Sequence, residues 1–192
     1  MKKQVSTLRK TQNYYLKNHV ATLPDITTVL NLGALPNDKD KQGSLYKDYF
    51  KGKEYYTLDK NRHSESSNHF NKDLHESWKF EKRFDLVIAM SVLEHIENPF
   101  LACDNIKELL NPKGYIFISV PFFYPIHKDP HGRFSDYWRF TDDAIKLLFC
   151  DMELIWMKSA PSVIKTVSDR VRYWNDKNRT ISGVCALFRK KK

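Results

Sequence analysis

The chain of 192 residues is long enough to bury a core, and its 41% hydrophobic and 14% aromatic residues exclude wholesale disorder. An excess of 32 Lys and Arg over 23 Asp and Glu gives a formal net charge of +9, which indicates acidic partners such as nucleic acid or phosphorylated metabolites, or only a solubilising surface. No signal-peptide core and no run long enough to span a bilayer are found, so we expect a single cytoplasmic domain over residues 1–192.

The first half of the chain predicts a leading helix and three strands. An amphipathic helix is expected within residues 5–22, in a leading segment 1–25 that precedes an α/β core over residues 26–192. The predicted elements that follow are a strand over Thr28–Gly33, a short helix near Ser44–Phe50, a strand over Tyr55–Asp59 and a short strand over Asn71–His75.

The second half is more regular. Phe84–Met90 is typical of a buried central strand, and Asn98 followed by Pro99 predicts a helix that ends at Pro112 and Gly114. The remaining predicted elements are a strand over Tyr115–Val120, a helix capped by Thr141, a strand over Met152–Lys158, a helix over Ser162–Tyr173 and a strand over Gly183–Phe188. This alternation predicts a doubly wound α/β fold of about seven strands with helices on both faces.

The three cysteines, Cys103, Cys150 and Cys185, are odd in number, widely separated and without CxxC spacing. Each lies in an apolar stretch. We therefore predict three buried free thiols in a reducing compartment.

Two segments carry a resemblance to a known family. Phe84–Phe100 (FDLVIAMSVLEHIENPF) and Leu110–Pro121 (LNPKGYIFISVP) resemble the fourth strand, the Leu-Glu-His segment and the fifth strand of class I S-adenosylmethionine-dependent methyltransferases. Pro130–Thr141 is similar to a segment that follows the fifth strand in part of this family. The resemblance is closest to small bacterial methyltransferase-domain proteins linked to surface glycans and secondary metabolites. It implies a Rossmann-like sheet, mostly parallel with an antiparallel last strand, and S-adenosylmethionine as cofactor with S-adenosylhomocysteine as product.

The cofactor site implied by the resemblance lies at the carboxyl ends of the first four strands. Gly33 would allow the cofactor close to the backbone, and Asp59 ends a strand where one carboxylate can accept both ribose hydroxyls. Asp59 would suit NAD equally well, but GxGxxG is absent. Asn31 stands where the family usually has an acid, so it adds no charge. The full set of expected cofactor contacts is Asn31, Gly33, Ala34, Asp59, Lys60, Asp73, Leu74, Ala89, Met90, Ser91 and His95.

The acceptor side is predicted after the fifth strand. His127 and His131 are the candidate catalytic bases, because an oxygen or nitrogen acceptor often needs one near neutral pKa. Asp136 is expected to orient an imidazole, while Tyr137 and Arg139 are expected to hold the acceptor. In the alternative interpretation, Tyr137 and its aromatic neighbours are core residues with Arg139 stacked between them.

Three functions are compatible with these patterns. The preferred one is methylation, on oxygen, of a small molecule or glycan precursor; the others are RNA methylation, suggested by the +9 charge, and a catalytically silent binding protein. His95, His127, His131 and Asp136 have metal-binding side chains but no compact spacing such as HExxH, so the sequence predicts no metal site.

Overall fold

The computed structural model describes residues 5–76, 80–161 and 181–191. Its strands form one seven-stranded sheet in the order β3-β2-β1-β4-β5-β7-β6. The strands are β1 (Thr28–Leu32), β2 (Glu54–Leu58), β3 (His69–Phe70), β4 (Phe84–Met90), β5 (Leu110–Pro121), β6 (Glu153–Pro161) and β7 (Ile181–Arg189). β1 to β5 pair in parallel, whereas β7 runs antiparallel to both β5 and β6. The predicted doubly wound sheet with an antiparallel last strand is confirmed.

The strand order reverses at β1, which has β2 on one side and β4 on the other. In an open α/β sheet, ligands bind outside the carboxyl ends of the strands at such a switch point. The register aligns Leu32 with Leu58 of β2 and with Ala89 of β4, so three strands end side by side.

Helices cover both faces, as predicted. One face carries α2 (Pro99–Glu108) and α3 (Asp142–Leu148), whose side chains Cys103, Ile106 and Ile145 are fully buried. The other face carries α1 (Thr7–Tyr15) and the π-helical turn Leu16–Val20 that continues it. A 3₁₀ turn at Tyr46–Phe50 takes the place of the short helix expected there.

The predicted caps are confirmed. The Asn98 side chain accepts a hydrogen bond from the Leu101 N–H at 3.2 Å, and the Thr141 hydroxyl accepts one from Ala144 at 3.2 Å. Each cap satisfies a backbone donor that the first turn of a helix leaves without a partner.

Two boundaries were wrong. The third strand is His69–Phe70 instead of Asn71–His75, because the partner residues Thr57 and Leu58 of β2 meet it there. Helix α2 ends at Glu108, and Pro112 and Gly114 lie inside β5 rather than after a helix. They lie between two sections of the β4–β5 ladder whose register shifts after Phe84, which makes room for the irregular residues.

Cys103 and Cys185 are buried free thiols, whereas Cys150 is exposed, so the prediction of three buried thiols was wrong for Cys150. Cys150 follows α3 at a helix end, where the chain turns outward. The helix predicted over Ser162–Tyr173 lies outside the described residues. Within the described ranges, no helix is both long and apolar enough to cross a membrane.

Candidate functional site

A cavity of about 850 Å³ opens at the carboxyl ends of β1, β2 and β4. It extends from the turn after β1, through the loop after β2, to the segment that follows β5. Gly33, Asp59, Arg62, Ser91, His95 and His127 are among its lining residues. The cavity therefore joins the predicted cofactor side and the predicted acceptor side in one space.

The turn after β1 brings backbone to the cavity wall. Gly33 has a φ of +64°, a left-handed conformation that glycine adopts without strain. A Cβ atom at Gly33 would lie 3.0 Å from Cγ2 of Val92, a contact tighter than ordinary packing. The Gly33 N–H donates to the Leu58 carbonyl at 2.7 Å, which fixes the turn against β2. This position therefore favours glycine, whereas the predicted contact of Gly33 with a cofactor stays a prediction.

Asp59 is at the cavity wall, but its carboxylate already has partners. One oxygen accepts the backbone N–H groups of Asn61 and Arg62 at 2.9 and 3.0 Å, and the other accepts the Arg62 guanidinium Nε at 2.8 Å. The same guanidinium reaches Asp38 at 2.9 Å and also donates to the Gly33 carbonyl. Arg62 thus contacts both groups that were expected to meet the cofactor. These are the Asp59 carboxylate, expected at the ribose, and the backbone of Gly33.

Asp73 forms the far wall of the predicted cofactor side. Its carboxylate pairs with Lys60 Nζ at 2.9 Å and with the ring and N–H of His75 at 2.9 and 3.0 Å. Burial opposes ionisation, but these hydrogen bonds hold the pKa of Asp73 at about 2. Asp73, Lys60 and Leu74 all line the cavity, so the structure brings these three predicted residues together.

The leading helix contributes to the base of the cavity. Gln12, fully buried, donates from Nε2 to the Ser91 hydroxyl at 3.0 Å and to the Ser119 hydroxyl at 2.8 Å. Ser91 follows β4 with a φ of +56°, an uncommon conformation for a residue with a side chain. Arg9, one turn earlier on α1, lines the cavity. Helix α1 is therefore part of the site rather than only an N-terminal extension of the core.

Glu94 lies beside the cavity in the 3₁₀ turn Leu93–His95 and is fully buried. Neither of its carboxylate oxygens accepts a hydrogen bond from another residue in the described ranges. The His95 Nε2 atom lies 3.8 Å from one of them. Burial raises the pKa of Glu94 to about 8. A buried carboxyl group without a partner is costly, so its presence here requires an explanation.

The hydrogen bonds of the two imidazoles beside Glu94 assign their tautomers. His95 Nδ1 lies 2.6 Å from the Ser135 carbonyl, and His127 Nδ1 lies 3.2 Å from the Pro125 carbonyl. Because a carbonyl only accepts, each Nδ1 carries the proton and each Nε2 is left with a free lone pair in the neutral ring. Burial lowers the pKa of His95, which favours that neutral form.

Asp136 holds this arrangement together. It accepts the His127 N–H at 2.7 Å and forms a two-point ion pair with Arg139 at 2.6 and 2.7 Å. The Arg139 hydrogen bonds hold the pKa of Asp136 at about 2. Asp136 therefore contacts His127, the residue it was expected to orient, whereas Arg139 is engaged with Asp136 and does not line the cavity.

Several predicted residues do not bring a side chain to the cavity. Asn31 donates to the Tyr55 hydroxyl at 2.8 Å, because strand alternation turns its side chain into the sheet face. Ala34, Ala89 and Met90 are buried in the core layers. His131 is exposed and outside the cavity wall, since its segment turns around Asp129. Tyr137 does line the cavity and donates to Glu97 at 2.8 Å.

Two residues of the site, Arg62 and Arg9, were not predicted to have a role, and Glu94 was not among the predicted site residues. Arg62 lies in the polar segment after β2, where its position three residues beyond Asp59 was the available signal. Glu94 adjoins the predicted His95, but only the structure shows that its carboxylate is buried. Arg9 belongs to a helix assigned to the periphery, and no pattern in the sequence connects it with the cavity.

A comparison with protein families finds one match. A family model described as a methyltransferase domain matches residues 43–162, more than half of the chain. The matched region includes β2 to β5, the Leu93–His95 turn and the segment containing His127 and Asp136.

Individual proteins give weaker likenesses. The chain is 31% identical over 70 residues to "Probable polyketide synthase 10" of Dictyostelium discoideum, a match that covers 36% of this chain and only 3% of that protein. The N-methyltransferase NodS from Bradyrhizobium japonicum WM9, solved with S-adenosylhomocysteine, is 13% identical with a TM-score of 0.61, covering 99% of this chain and 90% of its own. A Burkholderia thailandensis 1,6-didemethyltoxoflavin-N1-methyltransferase, with bound 1,6-didemethyltoxoflavin and S-adenosylhomocysteine, is 15% identical with a TM-score of 0.61, covering 96% and 79%. These structures share the fold.

Proposed function

Since the chain belongs to the methyltransferase-domain family and is an S-adenosylmethionine-dependent methyltransferase, we propose that it methylates an oxygen atom of a small molecule or glycan precursor. The observation that carries this proposal is the continuity of the cavity. Its β1–β2 end presents Gly33 and Asp59, and the part next to the segment after β5 presents the imidazoles of His95 and His127.

The residues present fit the cofactor. A glycine turn allows close approach of an adenosine group, and Asp59 has one oxygen committed to backbone and one that a ribose hydroxyl can take from Arg62. We assign Asp73 and Lys60 to the adenine end of the cofactor and Ser91 to its methionine end, since all three line the cavity. Arg9 is a cation beside the same space, suited to the cofactor's carboxylate. When bound, the cofactor supplies a methyl group already activated by a sulfonium.

The chain's own residues then have to align the acceptor and remove its proton. With the cofactor bound, His127 Nε2 would accept the proton that the acceptor hydroxyl loses on methylation. Asp136 keeps the His127 ring in place through its contact with the His127 backbone and lies 3.3 Å from Nδ1. Tyr137 contributes a wall of the acceptor pocket. An oxygen acceptor suits this arrangement because a hydroxyl is a weak nucleophile until a base takes its proton, whereas a neutral amine attacks before it loses one.

A small-molecule acceptor is supported by the size of the cavity and by the relatives. About 850 Å³ is within the range of small-molecule and cofactor sites. The toxoflavin-type methyltransferase holds a small molecule beside S-adenosylhomocysteine, and the partial relative in Dictyostelium is named a polyketide synthase. Both solved neighbours named above are N-methyltransferases, so the choice of oxygen depends on the imidazole arrangement of this chain.

The test has two stages. S-adenosylhomocysteine should first raise the melting temperature of the purified protein, because it binds the folded state. Methyl transfer from labelled S-adenosylmethionine is then measured on hydroxyl-bearing and amine-bearing metabolites and on RNA. Labelling of hydroxyl compounds alone supports the proposal. Labelling of amines or stoichiometric labelling of a defined RNA would overturn it, as would a complete lack of cofactor binding.

A further inference from the structure

The buried side chain of Glu94 and the imidazoles of His95 and His127 form a cluster with unusual chemistry. One ligand atom from each of the three residues lies within 4.8 Å of the others. The Glu94 oxygens have no hydrogen-bond partner in another described residue, and both imidazoles have Nε2 free because Nδ1 is held by a carbonyl. We propose that Glu94, His95 and His127 bind a divalent transition-metal ion.

The donor set matches such an ion. Two imidazole nitrogens and one carboxylate are used by zinc enzymes and by non-haem iron sites, which leave further positions open for a substrate oxygen. Ligands bonded at about 2.0–2.1 Å to a tetrahedral ion are about 3.3 Å apart. The cluster would need to contract by at most about 1.5 Å, which a shift of the loop that carries His127 together with its partners Pro125 and Asp136 would supply.

The second layer is the arrangement that metal sites use. A histidine ligand usually donates its other ring N–H to a carbonyl or carboxylate, which fixes the ring and its tautomer. Ser135 does this for His95 at 2.6 Å, and Pro125 and Asp136 do it for His127 at 3.2 and 3.3 Å. The segment that contributes these groups is itself attached to the turn, since the Tyr137 N–H donates to the Glu94 carbonyl at 2.7 Å.

A metal ion also resolves the state of Glu94. Neither buried oxygen has a donor among the described residues, and an ion with two positive charges would supply a partner. The spacing along the chain conceals the site: Glu94 and His95 are adjacent, and His127 comes from the far side of β5. No compact motif could reveal it, which explains why the sequence predicted no metal.

The role of the ion rests on the proposed function, whereas the binding site does not. A metal at this end of the cavity would bind the acceptor hydroxyl and lower its pKa. In the metal-loaded protein His127 would be a ligand rather than the base, and the proton of the acidified hydroxyl would pass to solvent water. The two proposals separate experimentally, because metal binding is measured without cofactor or acceptor.

The experiment starts from protein dialysed against a chelator. Zn²⁺ is titrated by calorimetry, and Co²⁺ is added in parallel, since its visible absorption reports nitrogen and oxygen ligation. We expect one ion per chain in the wild type and at least a tenfold loss of affinity in Glu94→Gln, His95→Ala and His127→Ala. His131→Ala is the matched control from the same segment and should bind as the wild type does.

The outcomes distinguish the hypotheses. Melting curves of the metal-free variants establish that each is folded, and His127→Ala, a partly exposed loop change, remains informative if Glu94→Gln does not fold. Absence of binding by the wild type, equal binding by His127→Ala, or loss of binding in His131→Ala would overturn the metal site. If the protein binds S-adenosylhomocysteine but binds no metal ion, this inference alone is contradicted. Metal binding without S-adenosylhomocysteine binding would contradict the proposed function alone.

Discussion

Two acidic residues lie near the ends of strand β4, Asp85 at its start and Glu94 in the turn after its end, and their carboxylates differ in hydrogen bonding. At the start of the strand, Asp85 accepts hydrogen bonds from the backbone and hydroxyl groups of Thr27 and Thr28 at 2.7–3.0 Å and from Asn111 at 2.8 Å. After the end of the strand, Glu94 is fully buried and accepts none from another described residue. The first carboxylate joins three parts of the chain, whereas the second has no hydrogen-bond donor among the described residues.

The difference separates structure from function along one strand. In the described ranges, the buried side-chain atoms without a partner are Gln12 Oε1 and the two Glu94 oxygens, and both residues lie at the carboxyl end of the sheet. A fold normally satisfies its buried polar groups, so unsatisfied ones concentrate where a ligand completes them. In the described ranges, buried polar side-chain atoms at the amino end of the sheet have hydrogen-bond partners within the chain. At the carboxyl end, the cofactor, the acceptor or an ion would supply the partners.

Removal of the His127 imidazole should give the largest effect. His127→Ala should reduce turnover by about 10²–10⁴, because the acceptor hydroxyl loses the group that activates it. Affinity for S-adenosylhomocysteine should stay within a few-fold, since His127 lies in the segment after β5 and Asp59 follows β2. Steady-state turnover and a direct binding measurement give the two numbers.

His19 provides a control, because it is exposed on the π-helical turn and does not line the cavity. His19→Ala should leave turnover and cofactor affinity unchanged. A loss in His131→Ala as large as in His127→Ala would place the base at His131 and contradict the geometry. Equal loss of cofactor affinity and turnover in His127→Ala would make this segment a lid over the cofactor.

At the other end of β4, Asp85→Ala should reduce the free energy of unfolding by about 2–3 kcal/mol, because backbone donors of Thr27 and Thr28 lose their acceptor. Hydrogen bonds from Asn111 and Thr27 outweigh burial and lower the pKa of Asp85 well below its usual value. A carboxylate with a lowered folded pKa stabilises the protein above pH 4, and this stability disappears as the pH falls further. Denaturant unfolding at neutral and acid pH should therefore show a smaller pH dependence in Asp85→Ala than in the wild type. An unchanged acid transition would refute the role of Asp85.

Asp59→Ala should weaken S-adenosylhomocysteine binding by about 1–3 kcal/mol, since the ribose hydroxyls lose a charged acceptor. The protein should remain folded because Asp59 follows β2 and does not fill the core. Calorimetry gives the affinity, and Asp25→Ala, a change in an exposed loop before β1, is a suitable control. Wild-type affinity in Asp59→Ala would mean that the ribose lies elsewhere.

The fold could be predicted from the sequence because its signals are local. The apolar run Phe84–Met90, the caps at Asn98 and Thr141 and the alternation of elements each depend on neighbouring residues, and all three are confirmed. The third strand could not be located in the same way. It has two residues, and its position depends on its pairing with Thr57 and Leu58 instead of on its own composition.

The site was predicted less completely, because it depends on contacts between distant segments. Asn31 occupies an expected cofactor position, yet its side chain pairs with Tyr55 on the neighbouring strand. The sequence predicts the catalytic base at His127 and at His131 equally. In the structure the turn around Asp129 leaves His127 at the cavity wall and His131 outside it. The burial of Glu94 arises from the docking of residues 135–138 on its own turn, a tertiary contact with no sequence pattern.

Substitution of Arg62 should have the smallest effect on cofactor affinity. It also tests whether the groups at the carboxyl end of the sheet have their partners within the chain. Its guanidinium pairs with Asp59 and Asp38 and donates to the Gly33 carbonyl, so it occupies the partners that the ribose needs. If ribose hydroxyls and Arg62 compete for Asp59, Arg62→Ala should strengthen S-adenosylhomocysteine binding several-fold. The same change should lower the melting temperature slightly, because these partly exposed ion pairs contribute little stability.

Calorimetry on Arg62→Ala and on Arg62→Lys separates competition from support of the loop. Lysine keeps the charge but cannot reach three partners with a planar fork, so Arg62→Lys should bind the cofactor with an affinity between those of the wild type and Arg62→Ala. Weaker binding in Arg62→Ala would show that the guanidinium organises Asp59 for the cofactor rather than competing with it. In that case the Asp59 carboxylate would have its hydrogen-bond partners already in the folded chain, as the Asp85 carboxylate has. The Glu94 cluster would then be the part of the site whose polar atoms need a ligand.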